Sequence, residues 1–347
     1  MKIALIADTH FGARGDNQNL MDSMVRFYDN VFFPEIKSQG VEHIIHLGDL
    51  VDRRKYINIA TLRTMQKKFI ERIDVPMDVI CGNHDAYYKN TNDVNSLDEL
   101  IGADHPYIKV YKEPTERTID GTQYLYLPWI TSENEAQTLQ AIDESDAPYA
   151  MGHLELNGFQ MLRGLPCTHG LNPALLKKFV HVFTGHFHLK SVQDNIMYVG
   201  SPYEMNWAEA GDPHGFHIFN TENRELEHIE NPYTNFVKIF YDADTAKNDI
   251  PDVSGKWTKI IVLDKPDNYE FDDYCNRVQD LHPLEMRVVE AISQDTQDII
   301  VDEADDTQDI IEKAIDMRLD LDNDKKEALR ALMRDLYRDA SSVIMEK

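Results

Sequence analysis

Cysteine is scarce in this chain of 347 residues: Cys81, Cys167 and Cys275 are the only three, and they lie far apart. No two have the close spacing of a zinc knuckle and an odd count closes no disulfide framework, so a reducing, cytosolic setting is expected. Long apolar runs are missing as well. No uninterrupted stretch approaches the roughly 18 to 20 residues of a membrane-spanning helix. The apolar start, Met1 to Ala7, runs straight into Asp8 and His10 rather than a small-residue cleavage site, and reads as a first strand of a soluble protein. Positive charge is the third scarcity. The 35 Lys and Arg stand against 61 Asp and Glu, a formal net charge of -26. Proteins that grip nucleic acid by diffuse electrostatics neutralise phosphates with Lys and Arg. A DNA substrate here therefore needs metals or a partner to help hold it.

What is present is an alternation. The length allows one large core and a smaller second unit. Residues 1–230 repeat a short β-rich apolar run that ends abruptly in Asp, Asn, His or Gly: Lys2 to Ala7, Val41 to Leu47, Met77 to Cys81, Tyr149 to Met151, Val180 to Thr184 and Ile196 to Val199. Leu20 to Lys37, Ile59 to Ile73 and Glu133 to Ile142 have helical spacing between them. Strands alternating with helices predict an α/β layered fold whose reactive groups gather beyond the carboxyl ends of the strands. Residues 231–292 read as a small α+β capping unit, with strands at Phe236 to Tyr241, Trp257 to Leu263 and Arg287 to Ile292 and a helix at Asp272 to Leu281. Residues 293–309 form an acidic linker in which Asp-Thr-Gln-Asp-Ile-Ile begins at Asp295 and again at Asp306. Residues 310–347 carry Ile315, Leu319, Leu329, Leu332, Leu336 and Ile344 at amphipathic spacing and predict C-terminal helices.

Five strand ends carry chemistry: Asp8 with His10, Gly48-Asp49, Gly82-Asn83-His84-Asp85, Gly152-His153, and Gly185-His186-Phe187-His188. Each alone is an ordinary turn. Together they sit at one end of the expected sheet, and all offer hard or borderline metal ligands. Carboxylate mixed with imidazole suits Mn, Fe or Zn, whereas an all-oxygen Mg site would not use so many histidines. Residues i and i+2 of an extended segment share a side, so Asp8 with His10, and His186 with His188, can converge on one centre. Seven candidate ligands exceed the needs of one ion and point to a two-metal site.

The order Asp-x-His, Gly-Asp, Gly-Asn-His-Asp, Gly-His, Gly-His-x-His resembles the calcineurin-like metallophosphoesterases over the first two-thirds of the chain. Asp8-Thr9-His10-Phe11-Gly12, Gly48-Asp49-Leu50-Val51-Asp52 and Val199-Gly200-Ser201-Pro202 resemble the SbcD or meiotic-recombination nuclease branch, including its T-even-phage form. The resemblance implies a layered β-sandwich flanked by helices and hydrolysis of DNA phosphodiester bonds by a metal-activated hydroxide. It implies two divalent ions, Mn2+ first among them. Asp8, His10 and His188 would hold one ion and Asn83, His153 and His186 the other, with Asp49 between. His84 would be catalytic, facing the scissile phosphate and helping the leaving oxygen depart. Asp85 would orient His84 or cap its turn. An SbcC-like ABC ATPase is the implied partner, bound through the C-terminal helices, and the branch also admits a homodimer. One departure stands out: some of these nucleases have His where this chain has Asp52, which leaves the balance of exonuclease and endonuclease action open.

Beside the motifs, Arg53 and Arg54 are candidates to contact DNA, while Lys67 and Lys68 read equally well as solvated surface. Tyr87 and Tyr88 read as loop anchors, and His43, His46, His105, His169, His181, His214, His217, His228 and His282 as packing or surface residues. Two competing functions remain: a phosphoesterase of the same family acting on a non-DNA ester, and a non-catalytic scaffold subunit. The appended C-terminal unit speaks against the first, and the intact ligand set against the second.

Overall fold

After Lys2 the opening strand has no polar side chain, as expected of a strand covered on both faces. In the computed structural model Lys2–Ile6 is an inner strand of a six-stranded sheet, in the order Leu226–Glu230, Gly215–Asn220, Lys2–Ile6, His43–His46, Met77–Ile80, Ile108–Tyr111. The last four strands are parallel, and Gly215–Asn220 runs against Lys2–Ile6. A second six-stranded sheet has the order Ser191–Gln193, Ile196–Tyr198, His181–Gly185, Tyr149–His153, Thr122–Leu127, Thr115–Ile119, with its four inner strands parallel. The structure describes residues 1–290 except 103, 243, 246 and 247, together with 325, 326 and 329.

Strand alternation decides what lies between the sheets. Ile3, Leu5 and Ala7 point one way, into a layer shared with Ile45, Leu47, Tyr124, Tyr126, Met151 and Phe183. Ala4, Ile6 and Ile44 point the other way, against Leu20, Met24, Phe27, Met65 and Phe69 of the helices. The outer face of the second sheet buries Leu125, Leu127, Ala150 and Val182 against Ile142 and Leu176. The result is a helix, sheet, sheet, helix sandwich, the layered α/β class expected from the sequence.

The segment expected as one helix over Leu20 to Lys37 is interrupted. An α-helix at Gln18–Phe27 passes into a π-turn at Tyr28–Phe32, and the α-form resumes at Phe33–Gln39. Pro34 accounts for the interruption, since it lacks the N–H that an unbroken helix would donate backwards to Asn30. Asn17 caps the start through Asn19 N and Leu20 N, and Gly40 ends it at φ 64°. The Ile59 helix stops at Lys68, with Ile70–Arg72 a separate 3-10 turn, and the third helix spans Glu135–Glu144.

A third sheet joins Phe236–Tyr241, Trp257–Val262 and Glu285–Glu290, all parallel, with the helix Asn268–Gln279 crossing between the last two strands. That helix starts four residues before the expected Asp272, because the Asp267 side chain caps Tyr269 N and Glu270 N. Ile239, Tyr241, Ile260, Phe271, Tyr274 and Val278 give this unit its own core. Phe236 and Trp257 face the larger core, stacked 5.1 Å apart with the Arg14 guanidinium over both rings. The chain divides into Met1–Glu290 and Ala291–Lys347. The linker expected over 293–309 and the helices expected over 310–347 lie outside the described residues, apart from 325, 326 and 329, which are helical.

Candidate metal centre

Strands Lys2–Ile6, His43–His46 and Met77–Ile80 of the first sheet end in the loops of Asp8 and His10, Asp49, and Asn83 to Asp85. Strands Tyr149–His153 and His181–Gly185 of the second sheet end at His153 and at His186 with His188. All are carboxyl ends on one edge of the sandwich, so the seven residues meet there. The approach is tight enough to need unusual backbone. Asp8, His10, Asp49 and His186 have φ of 52°, 41°, 57° and 93°, a region non-glycine residues seldom adopt except where function requires it. Gly48 turns the chain at φ 97°, and a Cβ there would collide with the His153 ring. A Cβ on Gly82 would collide with Asp49.

The ligand atoms converge. His10 Nε2 lies 3.1 Å from His188 Nε2 and 3.6 Å from Asp49 Oδ2. The same Asp49 oxygen lies 3.3 Å from His153 Nε2. Asn83 Oδ1 sits 2.8 Å from His153 Nε2 and 3.0 Å from His186 Nδ1. The opposite ring nitrogens settle what these atoms are. His153 Nδ1 faces the Leu47 carbonyl at 2.8 Å and His188 Nδ1 faces Glu209 Oε1 at 2.7 Å, so both Nδ1 atoms carry a hydrogen and donate it. In the neutral rings both Nε2 atoms are then lone pairs. Burial pulls His153 down, but Asp49 and Asp8 outweigh it and push the ring up to about 9, so without an ion its Nε2 carries a hydrogen toward the Asn83 and Asp49 oxygens, a place that a cation would take over. His188 Nε2 faces another imidazole nitrogen. Cations would fit such a convergence at Asp8–His10–His188 and at Asp49–His153–His186, two groups whose ligand atoms lie within 4.8 Å of one another. The donor set fits divalent ions.

Burial opposes ionisation of Asp49, but His153, His84 and His10 outweigh it and hold its carboxyl well below the ordinary range. Asp8, also buried, is pushed up to about 6 despite the pull of His153 and His188. Asp85 neither orients His84 nor merely caps its own turn. Its carboxylate accepts from Gly82 N at 2.9 Å and, across the site, from Asp49 N at 2.9 Å, Leu50 N at 3.0 Å and Val51 N at 3.3 Å. It ties the Asn83 loop to the Asp49 loop. The role of orienting His84 falls to the Asp52 carbonyl, 2.5 Å from Nδ1. His84 N also donates to Asp49 Oδ1 at 2.8 Å, and the His84 ring stands edge-on to His10 with centroids 4.7 Å apart. His10, Asp49 and His84 also lie within ligand distance of one another, and His84, like His186 and His188, is partly exposed.

Several supporting residues carried no motif. Glu209, buried, accepts from His188, Met205 N and Asn206 Nδ2. Thr9 Oγ1 meets His46 Nε2 at 3.0 Å, so His46 is a packing residue with a polar task, and Tyr203 donates its hydroxyl to Thr9 O. Trp129 lies over His186, with centroids 5.0 Å apart. Of the basic candidates, Arg53 is engaged by Asp16 at 2.8 Å and lies over Tyr56, while Arg54 is half-buried nearby. Lys67 and Lys68 pair with Glu71 and Asp29, the solvated-surface reading. Tyr87 and Tyr88 are exposed and pack edge-to-face 4.7 Å apart.

Residues 1–190 match the calcineurin-like phosphoesterase family. The chain belongs to that family. Along its length it is also similar to exonuclease subunit 1 of Enterobacteria phage T4, 31% identical over 350 residues that span 98% of this chain and all of the phage protein. Two solved structures are fainter likenesses. A novel archaeal phosphodiesterase matches at 15% identity and a TM-score of 0.34, over 67% of this chain and all of its own. The Pseudomonas putida nuclease MPE matches at 17% identity and a TM-score of 0.30, over 62% of this chain and 83% of its own. As a calcineurin-like phosphoesterase the protein is a metal-dependent hydrolase, and the family works with a dimetal centre. No helix among the described residues is long and apolar enough to cross a membrane.

Proposed function

We propose that this phosphoesterase is a DNA exonuclease and endonuclease, the nuclease subunit of an SbcCD-like recombination complex, working with two Mn2+ ions. One observation carries the two-ion reading: a single Asp49 oxygen lies within 3.6 Å of His10 Nε2 and 3.3 Å of His153 Nε2, between the two ligand groups. Asp8, His10 and His188 would hold one ion, Asn83, His153 and His186 the other, and Asp49 would serve both. When bound, such a pair lowers the pKa of a water molecule and neutralises charge on the phosphoryl group. The chain does the rest. Leu47 O and Glu209 fix the tautomers of His153 and His188 before any ion arrives. His84, held at Nδ1 by Asp52 O, keeps Nε2 for the substrate, and as the imidazolium it passes that proton to the departing oxygen. DNA as substrate and a partner subunit are supported by the full-length similarity to a phage protein named as an exonuclease subunit, and an ATPase is the partner that the motif resemblance implies.

The test is hydrolysis of linear double-stranded DNA, single-stranded DNA and a small generic phosphodiester, each with Mn2+, Mg2+ or a chelator. Cleavage of DNA that Mn2+ restores after chelation is expected. Hydrolysis of the small ester alone, with or without an ATPase partner, would overturn the DNA reading. For the ions, Asp49→Ala should lose both at once by calorimetric titration. Two Mn2+ ions still tightly bound in that variant would exclude the shared carboxylate.

A further inference from the structure

Beside the metal centre, at Glu155, a second set of ligand atoms comes together. Glu155 follows the Tyr149–His153 strand, and the chain returns to it at residues 167–171. Cys167 N donates to Phe159 O at 2.7 Å, Gly158 N to Cys167 O at 2.8 Å, and Leu171 N to Glu155 O at 2.8 Å, which sets Cys167 and His169 opposite Glu155. His169 Nε2 lies 3.2 Å from Glu155 Oε1, and ligand atoms of Glu155, Cys167 and His169 are all within 4.8 Å of one another. None of the three belongs to the motif set of the dimetal centre.

We propose that Glu155, Cys167 and His169 form a third cation site, one that takes a thiolate-preferring divalent ion of the zinc class. The donor set argues the selectivity. One sulfur, one imidazole and one carboxylate suit zinc, and the sulfur sets this group apart from the dimetal centre, which offers nitrogen and oxygen only. Cys167 is buried and its thiol now donates to His169 O at 3.2 Å. Coordination breaks the S–H bond, forms a sulfur–metal bond and releases the proton to solvent. The His169 side chain is 62% exposed, so an ion enters from solvent without crossing the dimetal centre. Glu155 Oε1 also lies 3.7 Å from His186 Nε2, which makes it the link between the two sites.

Cobalt tests the site, because a thiolate bound to Co2+ gives a near-ultraviolet charge-transfer band that nitrogen and oxygen ligands do not. Metal-free full-length protein titrated with Co2+ should develop that band, and equilibrium dialysis should count three cobalt ions per chain. Cys167→Ser should abolish the band and leave two ions. Should that variant fail to fold, His169→Ala decides the matter: its target is an exposed side chain, and the band should then need roughly tenfold more Co2+, or beyond, to saturate. No band at saturating Co2+, a band that survives Cys167→Ser, or His169→Ala titrating as the unaltered protein would each overturn the third site. Two cobalt ions without a band would do so while leaving the dimetal reading in place.

Discussion

At His84 the ring is held at Nδ1 by Asp52 O at 2.5 Å, which leaves Nε2 for a substrate in the role proposed for it. His84→Ala should therefore keep both ions yet lower DNA cleavage by about 10² to 10⁴-fold, the usual scale of a lost general acid. Loss of both metals in a titration of the variant would show His84 to be a ligand instead. Glu209 predicts the converse. At the site it touches the far nitrogen of His188 alone, its other bonds being to Met205 N and Asn206 Nδ2, so Glu209→Gln should weaken Mn2+ binding about 10 to 100-fold, visible as a raised Mn2+ requirement with little change in rate at saturation. An unchanged Mn2+ requirement would remove it from that role. That the seven motif residues would come together was legible because they follow apolar runs within a few positions of a glycine. Glu209 was not, because its partner lies 21 residues away and nothing in the Ala-Glu-Ala-Gly stretch around it sets it apart. Asp85 was legible only as a cap on Gly82 N, because its other three backbone donors belong to a loop about thirty-five positions earlier, and sequence distance hides such bridges.

At the scale of elements, the six apolar runs all became strands, since burial on both faces leaves little polar alternation to confuse with a loop. Edge strands were harder. Thr115–Ile119 alternates polar side chains with exposure on both sides and pairs only with Thr122–Leu127, so its sequence hardly differs from a loop. The π-turn before Pro34 was likewise invisible to helical spacing. Where the two sheets meet, Asp78 gathers the Tyr126 hydroxyl at 2.8 Å, His43 Nε2 at 3.0 Å and Arg117 Nε at 3.2 Å. Burial pushes the Asp78 carboxyl up, but the bonds and charge of His43, the Tyr126 hydroxyl and Arg117 prevail and hold it below its ordinary 3.8. A depressed carboxyl stabilises the fold above its unfolded value, and that support fades as pH falls through the folded value. Tyr126→Phe should thus lower stability by about 1 kcal/mol at neutral pH. The gap from the unaltered protein should close in acid, as followed by denaturant unfolding at several pH values. A gap that stays constant with pH would mean packing, not the carboxylate, accounts for it.

For the whole molecule, the net charge of -26 argues that the proposed DNA binding would fall to the centre and to a partner rather than to a broad basic face. The amphipathic spacing of residues 310–347, with Arg330, Arg334 and Arg338 on one stripe and Leu329, Leu332 and Leu336 on another, is proposed to dock an ABC ATPase. Removing everything after Asp309 should leave a folded nuclease that cuts single-stranded DNA with Mn2+ but no longer copurifies with the ATPase. Full ATPase binding by the truncated chain, or its unfolding, would end that proposal.

The two ligand groups draw on both sheets. Asp8, His10, Asp49 and Asn83 hang from the first sheet and His153, His186 and His188 from the second, so each proposed ion would be a clasp across the sandwich rather than an ornament on one face. Loading the centre then does mechanical as well as chemical work. Ions present at about one hundred times their dissociation constant would add about 2.7 kcal/mol per site to the folded state. The two halves, zipped by side chains along their length, would be riveted at the rim, and a chelator should loosen the rivet, lowering the melting temperature before any substrate is in play.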